Sequence, residues 1–332
     1  MSTRLVPLNL LAACVLGFFL SCESAVWAAD HDDTPALKTT GRHDARISDL
    51  HVFTRVHASP GNGKHRRTSL ALAVSTNPTI PTTAATYVFP SDLTLELLLD
   101  RHSEVDFTAN PDATATFGGA IVDPSRIHAD VALTITFDAS GTPRLATAGI
   151  DADTPITLFA GMRDDPFIRG PRQGRNVASV VIELPLRTVT RGRKHGTLLV
   201  WAVSSVPGPE RPIGDLGARA LRSQFAENSA LNDYPDPAAH TSVLGVRPDV
   251  VIFDATRPAA FPNGRELTDD VVDLVGDTRI LMTDCPVPGD PLRCSPATND
   301  VPFLTTFPYL APPQGATQGE PGVILRFGDG GW

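Results

Sequence analysis

Apolar residues in this chain recur at every second position, or in short unbroken runs, more often than at helical spacing. Residues 131–137 are the clearest case: Val131, Leu133, Ile135 and Phe137 share one face, with Ala132, Thr134 and Thr136 opposite. That is the period of a half-buried strand. The following Asp138-Ala139-Ser140-Gly141-Thr142 supplies turn residues for a hairpin return. Runs at 50–56, 69–75, 93–99, 156–159, 177–184 and 197–204 are apolar or alternating and bounded by turn formers, and they also predict strands. Helical spacing is confined to 215–228, where Leu216, Ala220 and Phe225 share a face, and to 268–275, with Thr268 as N-cap. Many strands at short spacing, joined by Pro- and Gly-containing turns, argue against βαβ winding. They predict a mainly β protein, a β-sandwich or jelly-roll-like fold with long loops and one or two short helices. No repeat recurs at a fixed period.

The chain start predicts export. Arg4 precedes an apolar run at 5–20, interrupted only by Pro7 and Asn9, and Ala25-Val26-Trp27-Ala28-Ala29 then offers small residues for cleavage. Val26 and Ala28 fit the −3 and −1 positions, so the mature chain is expected to begin at Ala29. As a membrane anchor the run is too short and lacks a basic flank. Lipoprotein processing at Cys22 is the alternative, although Phe19-Leu20-Ser21 is a poor match to its small-residue site. The expected organisation is a signal peptide (1–28), an irregular N-terminal arm (29–48), one β-rich domain (49–311) and a loose C-terminal tail (312–332). The expected location is the periplasm or the extracellular space.

Composition narrows the partners. The net charge is −9, and loss of residues 1–28 removes one cation, Arg4, and one acid, Glu23, leaving it unchanged. An acidic surface argues against nucleic acid or anionic lipid, and no other stretch is long and apolar enough to span a bilayer. A cation or small ligand suits it better. With 30 Pro and 26 Gly but a normal 42% hydrophobic content, the chain reads as loop-rich and globular. Of 4 cysteines, Cys14 and Cys22 leave with the signal, and Cys285 and Cys294 are expected to form a structural disulfide in an oxidising compartment. Zinc is the rival for them, but the spacing is wide and no histidine lies near.

Candidate chemistry concentrates in two segments. Phe-Ala-Gly-Met-Arg-Asp-Asp-Pro-Phe at 159–167 sets Arg163, Asp164 and Asp165 between aromatic anchors, and Phe-Pro-Asn-Gly-Arg-Glu-Leu-Thr-Asp-Asp-Val-Val-Asp occupies 261–273. Adjacent carboxylates repel, so a folded site must answer them with cations, donors or solvent. Arg163 or Arg265 can supply an ion pair. A hard cation such as Ca²⁺ can take carboxylate and backbone oxygens from Asp164 and Asp165, with Asp49, Asp269, Asp270 and His31 as further candidates. The bland alternatives are a solvated Asp-Pro turn at 164–166 and a helix first turn at 269–270, where acids complement the dipole. Cleavage after Ala28 would also expose Ala29-Asp30-His31, whose amine, amides and imidazole can wrap Cu²⁺ or Ni²⁺ in a square plane. His43, His51, His57 and His65 read as a solvated arm and hairpin. There is no zinc-protease helix, nucleophile elbow or dinucleotide fingerprint.

These segments, with Asp30-His31, Asp49 ahead of Phe53, Asn176 to Pro185, Leu199 to Ser204, Pro248-Asp249 and Phe307-Pro308-Tyr309-Leu310, follow one another in a familiar order. The chain thereby resembles the secreted bacterial family catalogued as domain of unknown function 4331. It departs from that pattern at Ile168-Arg169-Gly170, where the family continues with an aromatic and an Asp, and at His51, where the family tends to carry Tyr. The resemblance implies export and a shared architecture but no reaction. The expected function is a non-enzymatic binding protein with a divalent-cation site at Arg163-Asp164-Asp165. The alternatives are an extracellular hydrolase using paired carboxylates or a metal, and a structural envelope or matrix protein.

Overall fold

The computed structural model describes residues 35–58, 66–109, 117–168, 174–191, 196–220, 231, 234–271, 298–315 and 322–328. A short helix, α1 (Pro35–Thr40), precedes β1 (Ile47–Ala58), β2 (Arg66–Ile80) and β3 (Thr94–Asp100). Two-residue strands β4 (Val105–Asp106) and β5 (Ala120–Ile121) lead to β6 (Val131–Phe137), β7 (Pro143–Ala148), β8 (Ile156–Asp164) and β9 (Asn176–Pro185). One helical turn, α2 (Leu186–Val189), is followed by β10 (Thr197–Val206), β11 (Ile213–Gly217), β12 (Val251–Asp254) and β13 (Gly322–Phe327).

Apart from β4 and β5, which pair only with each other, these strands form two antiparallel sheets, as the alternation predicts. The first has the order β1-β2-β9-β8-β13, and the second β11-β10-β3-β6-β7. In the second sheet β11 pairs with Ala202–Val206 of β10, while β12 pairs with Thr197–Val200 of the same strand. The hairpin expected at 138–142 is present: Asp138 N–H donates to Thr142 O at 3.1 Å, and β6 and β7 pair in register from Phe137–Pro143 to Ala132–Ala148.

The core lies between the sheets. Leu50, Val52, Leu70, Leu72, Leu158 and Ile182 from the first meet Leu95, Leu97, Leu99, Leu133 and Ile135 from the second in one buried cluster. Each such side chain contributes roughly 1.5–3 kcal/mol by leaving water. Ile47 joins this cluster although it is two residues from Asp49, which faces away. The reason is a β-bulge: β1 pairs Ile47 with Thr76 and Asp49 with Ser75, so Ser48 is an extra residue that reverses the alternation.

Four expectations are corrected. Residues 215–217 are strand, not helix start: Leu216 is fully buried in the β10–β11 ladder, and a Cβ on Gly214 would lie 1.9 Å from Ser204 O. Leu216 suited either period; glycines at 214 and 217 are the residues that disfavour helix. Residues 221–228 lie outside the described residues. Residues 268–270 form a turn and irregular chain and helix begins only at Val271, so Thr268 is not its N-cap; 272–275 fall outside the described residues. The stretch expected as an irregular arm enters the core, with Leu37 and Ala45 fully buried, and the stretch expected as a loose tail adds β13 to the edge of β8. Within the described residues no helix is long and apolar enough to cross a membrane.

Candidate functional site

The first sheet has a second face, turned away from the core, where Phe53, Ala71, Ala73, Phe159 and Val181 form a smaller apolar cluster with Leu267, Tyr309 and Leu310 beside a set of polar residues. Across β1, β2, β9 and β8, Asp49, Ser75, Ser179 and Gly161 stand in one cross-strand row, and His51, Ala73, Val181 and Phe159 in the next. Arg163 follows Gly161 by two positions and so projects on the same side. Residues 261–271 and 298–315 cover this face, so that Arg163, Asp49 and Arg265 are 0–2% exposed.

Arg265 joins the two Arg/Asp-Asp segments. Its backbone pairs with Val52 on the free edge of β1: Arg265 N–H donates to Val52 O at 2.8 Å, and Val52 N–H donates to Arg265 O at 3.1 Å. Its guanidinium Nη2 donates to Asp49 Oδ1 at 2.9 Å, and its Cζ lies 5.6 Å from the Phe167 ring. The neighbouring Gly264 donates to Ile252 O on β12 at 2.8 Å. Gly264 has φ +71°, and a Cβ there would sit 2.4 Å from Val52 O, so the crossing requires glycine. Asn263 completes the attachment by accepting from Asp254 N–H at 2.7 Å. Asn263-Gly264-Arg265 thus joins the edges of both sheets.

The adjacent acids have separate fates. Asp164 Oδ1 accepts from Gln314 Nε2 at 2.8 Å and Oδ2 from Asn299 Nδ2 at 2.6 Å. Burial pushes its pKa up to about 8, with the nearby Asp300 charge adding to the rise against the amide donors. Asp165 Oδ1 accepts from Phe167 N–H at 3.1 Å, closing an Asx turn before Ile168. Arg163 is fully buried, its Cζ 4.1 Å above the Phe159 ring. Arg163 and Asp164 are the last residues of β8, so the solvated Asp-Pro turn is replaced by a strand end sealed by the 298–315 segment. Asp269 is half-buried and accepts from Phe261 N–H and Glu266 N–H, both at 2.7 Å, so it shapes its own loop. Asp270 is half-buried. Among the described residues these five acids are not gathered into one three-donor cluster. His31, Asp273, Cys285 and Cys294 lie outside the described residues.

Two of the histidines expected in solvent are built in. His51 is 1% exposed, and burial, then the Arg265 charge, holds it well below the usual imidazole range, so the ring is neutral. His57 Nε2 lies 2.6 Å from Glu183 Oε1 and 2.9 Å from Ser69 Oγ. Glu183 Oε1 also accepts from Ser69 Oγ and, at 2.8 Å, from the Tyr309 hydroxyl. Burial and this carboxylate hold the Tyr309 phenol above its usual range. A Ser–His–acid relay needs the serine and the acid on opposite ring nitrogens. Here both face Nε2, so the arrangement is a hydrogen-bonded knot. Tyr309, at φ +68°, packs edge-on against Phe53 and Phe307 at 5.7 and 5.8 Å, with Arg55 over its ring. Glu183 escaped notice in the sequence, where the signal was one acid in the apolar run Val180-Val181-Ile182-Glu183-Leu184.

Comparison with known protein families, curated proteins and solved structures finds no match.

Proposed function

We propose that this is an exported, non-enzymatic protein of the kind the motif order resembles, the secreted domain of unknown function 4331 family. Its Arg/Asp-Asp segments act as internal locks for long loops, and its role is one of binding or scaffolding rather than turnover. The observation that carries this reading is the Arg265–Asp49 pair, sealed between β1 and the 261–271 loop and closed to a substrate. The single-nitrogen geometry at His57 supports it, since a hydrolytic relay would use both nitrogens.

A calcium-held version of the lock is the second reading. The Asp300 charge adds to the cost of ionising Asp164, Gln314 Nε2 donates to both carboxylates, and a hard cation would relieve that repulsion. Thermal melting with and without chelator separates the two. The expected result is a melting temperature that chelation leaves unchanged at this site. A drop that Ca²⁺ restores, and that Asp164→Asn/Asp165→Asn abolishes, would replace the Arg-paired lock with a cation-held one.

A further inference from the structure

At one end of the second sheet, far from these motifs in sequence, a different set of side chains converges. β3 ends at Asp100, and β6 starts at Val131, opposite Leu99. The register therefore places the loop after β3, carrying His102, beside the residues before β6, carrying His128 and Asp130. Nothing in the local spacing announces this meeting. It comes from the pairing of two strands.

Asp100, fully buried, holds both loops. Its Oδ1 accepts from His102 N–H at 2.6 Å and Ser103 N–H at 2.9 Å, while Oδ2 accepts from Ser103 Oγ at 2.7 Å and His128 N–H at 3.1 Å. Asp130 is fixed in turn: its N–H donates to Leu99 O at 2.9 Å, and its Oδ2 accepts from Arg101 N–H at 2.9 Å. From these anchors His102 Nδ1 reaches Asp130 Oδ2 at 2.5 Å, and His128 Nε2 reaches Asp130 Oδ1 at 3.0 Å. The two rings stack with centroids 5.6 Å apart, and one donor atom from each of the three residues lies within 4.8 Å of the others.

The second nitrogen of His128 shows how the ring is held. Nδ1 lies 3.0 Å from Arg126 O, a carbonyl that can only accept, so Nδ1 carries the hydrogen. In a neutral ring Nε2 then presents a lone pair to a carboxylate oxygen, which is repulsive. A cation must stand between them, either a proton or a metal. An imidazole whose far N–H is fixed by a backbone carbonyl is the usual second shell of a metal-bound histidine.

We propose that His102, His128 and Asp130 form a binding site for a divalent transition metal of the zinc class. The ligand atoms are His102 Nδ1, His128 Nε2 and one oxygen of Asp130. Two imidazoles and a carboxylate suit zinc and its neighbours rather than Ca²⁺, which prefers oxygen alone. Bonds of about 2.0–2.1 Å in a tetrahedron separate ligand atoms by roughly 3.3 Å. The two imidazole nitrogens lie 2.5 and 3.0 Å from Asp130 oxygens and all three donor atoms lie within 4.8 Å of one another, so small rotations of the exposed imidazoles suffice. The remaining position opens towards a cavity of about 180 Å³ lined by His102, Glu104, Asp123, Arg126 and His128. There the carboxylates of Glu104 and Asp123 outnumber the Arg126 charge, and water can complete the coordination.

The test uses the untagged mature chain carrying His31→Ala, so that no amine–imidazole chelate forms at the N-terminus. Zinc titrated against a chromophoric chelator should show one saturable site per chain. Co²⁺ should give the intense visible absorption of a tetrahedral nitrogen–oxygen site. His128→Ala and Asp130→Asn should each weaken zinc binding by about tenfold or more, since even second-shell losses reach that size. The histidine side chains are 41% and 58% exposed, so circular dichroism should be unchanged. Should His128→Ala lose its fold, His128→Gln keeps the polar bulk and answers the same question. No saturable zinc binding, or equal binding in the His102→Ala/His128→Ala chain, would overturn the proposal.

Discussion

Arg265 and Asp49 stand 216 residues apart in sequence, yet their side chains meet at 2.9 Å with almost no access to solvent. A buried pair of this kind adds little over a well-packed apolar pair, but breaking it leaves one charge stranded in a medium that solvates it poorly. Arg265→Ala is therefore expected to lower unfolding stability by about 3–5 kcal/mol. Replacing both residues together, Arg265→Met with Asp49→Leu, should cost much less. Urea unfolding of the parent and these two variants measures this, and a single variant as stable as the parent would remove the lock.

Asp164 predicts a pH dependence of definite sign. Its pKa rises from 3.8 to about 8 on folding, so between those values the folded chain holds a proton that the unfolded chain has released. The native state binds more protons in that window, and stability from this group falls as pH rises from about 4 to about 8. The contribution is at most one proton in the slope. Stability measured against pH should decline across that range for the parent, and Asp164→Asn should flatten the decline. An identical slope in both would assign the proton to another group.

On the proposal of export, the chain should begin Ala-Asp-His and carry Cys285 and Cys294 joined, because cleavage after Ala28 in an oxidising compartment would leave these two thiols together. Intact mass without reductant should be lighter by two hydrogens than the reduced chain. Two alkylatable thiols would rule the bridge out, and a lipidated Cys22 would rule out both the cleavage site and the copper or nickel chelate.

The strands were legible because each carries its own period. Residues 131–137 alternate and form β6 with those bounds, and the buried runs at 177–184 and 197–204 lie inside β9 and β10. Misreadings arose where two periods fit one stretch. Leu216 and Ala220 suit a helix, yet Leu216 lies in a strand paired with β10. Prolines and glycines around 312–321 masked the run Val323-Ile324-Leu325, which pairs with β8. For the candidate site, the sequence singled out Arg163, Asp164 and Asp165 between aromatic anchors and left a solvated Asp-Pro turn open; the structure buries all three. The sequence could not show that Arg265, rather than Asp269 or Asp270, is the residue that meets Asp49. Nor could it show His102 beside His128, since that contact is created by the register of β3 on β6.

An edge strand is ordinarily where a β protein is open to pairing with another chain. On β1 that edge is occupied at Val52 by Arg265, while Gly264 and Asn263 hold the same segment to β12 through Ile252 and Asp254. Peeling β1 outward would therefore strip a partner from each sheet in one event, so this corner frays only when both layers open together. Three consecutive residues act as a rivet: they cap a surface that could seed self-association and make the two sheets a single cooperative unit.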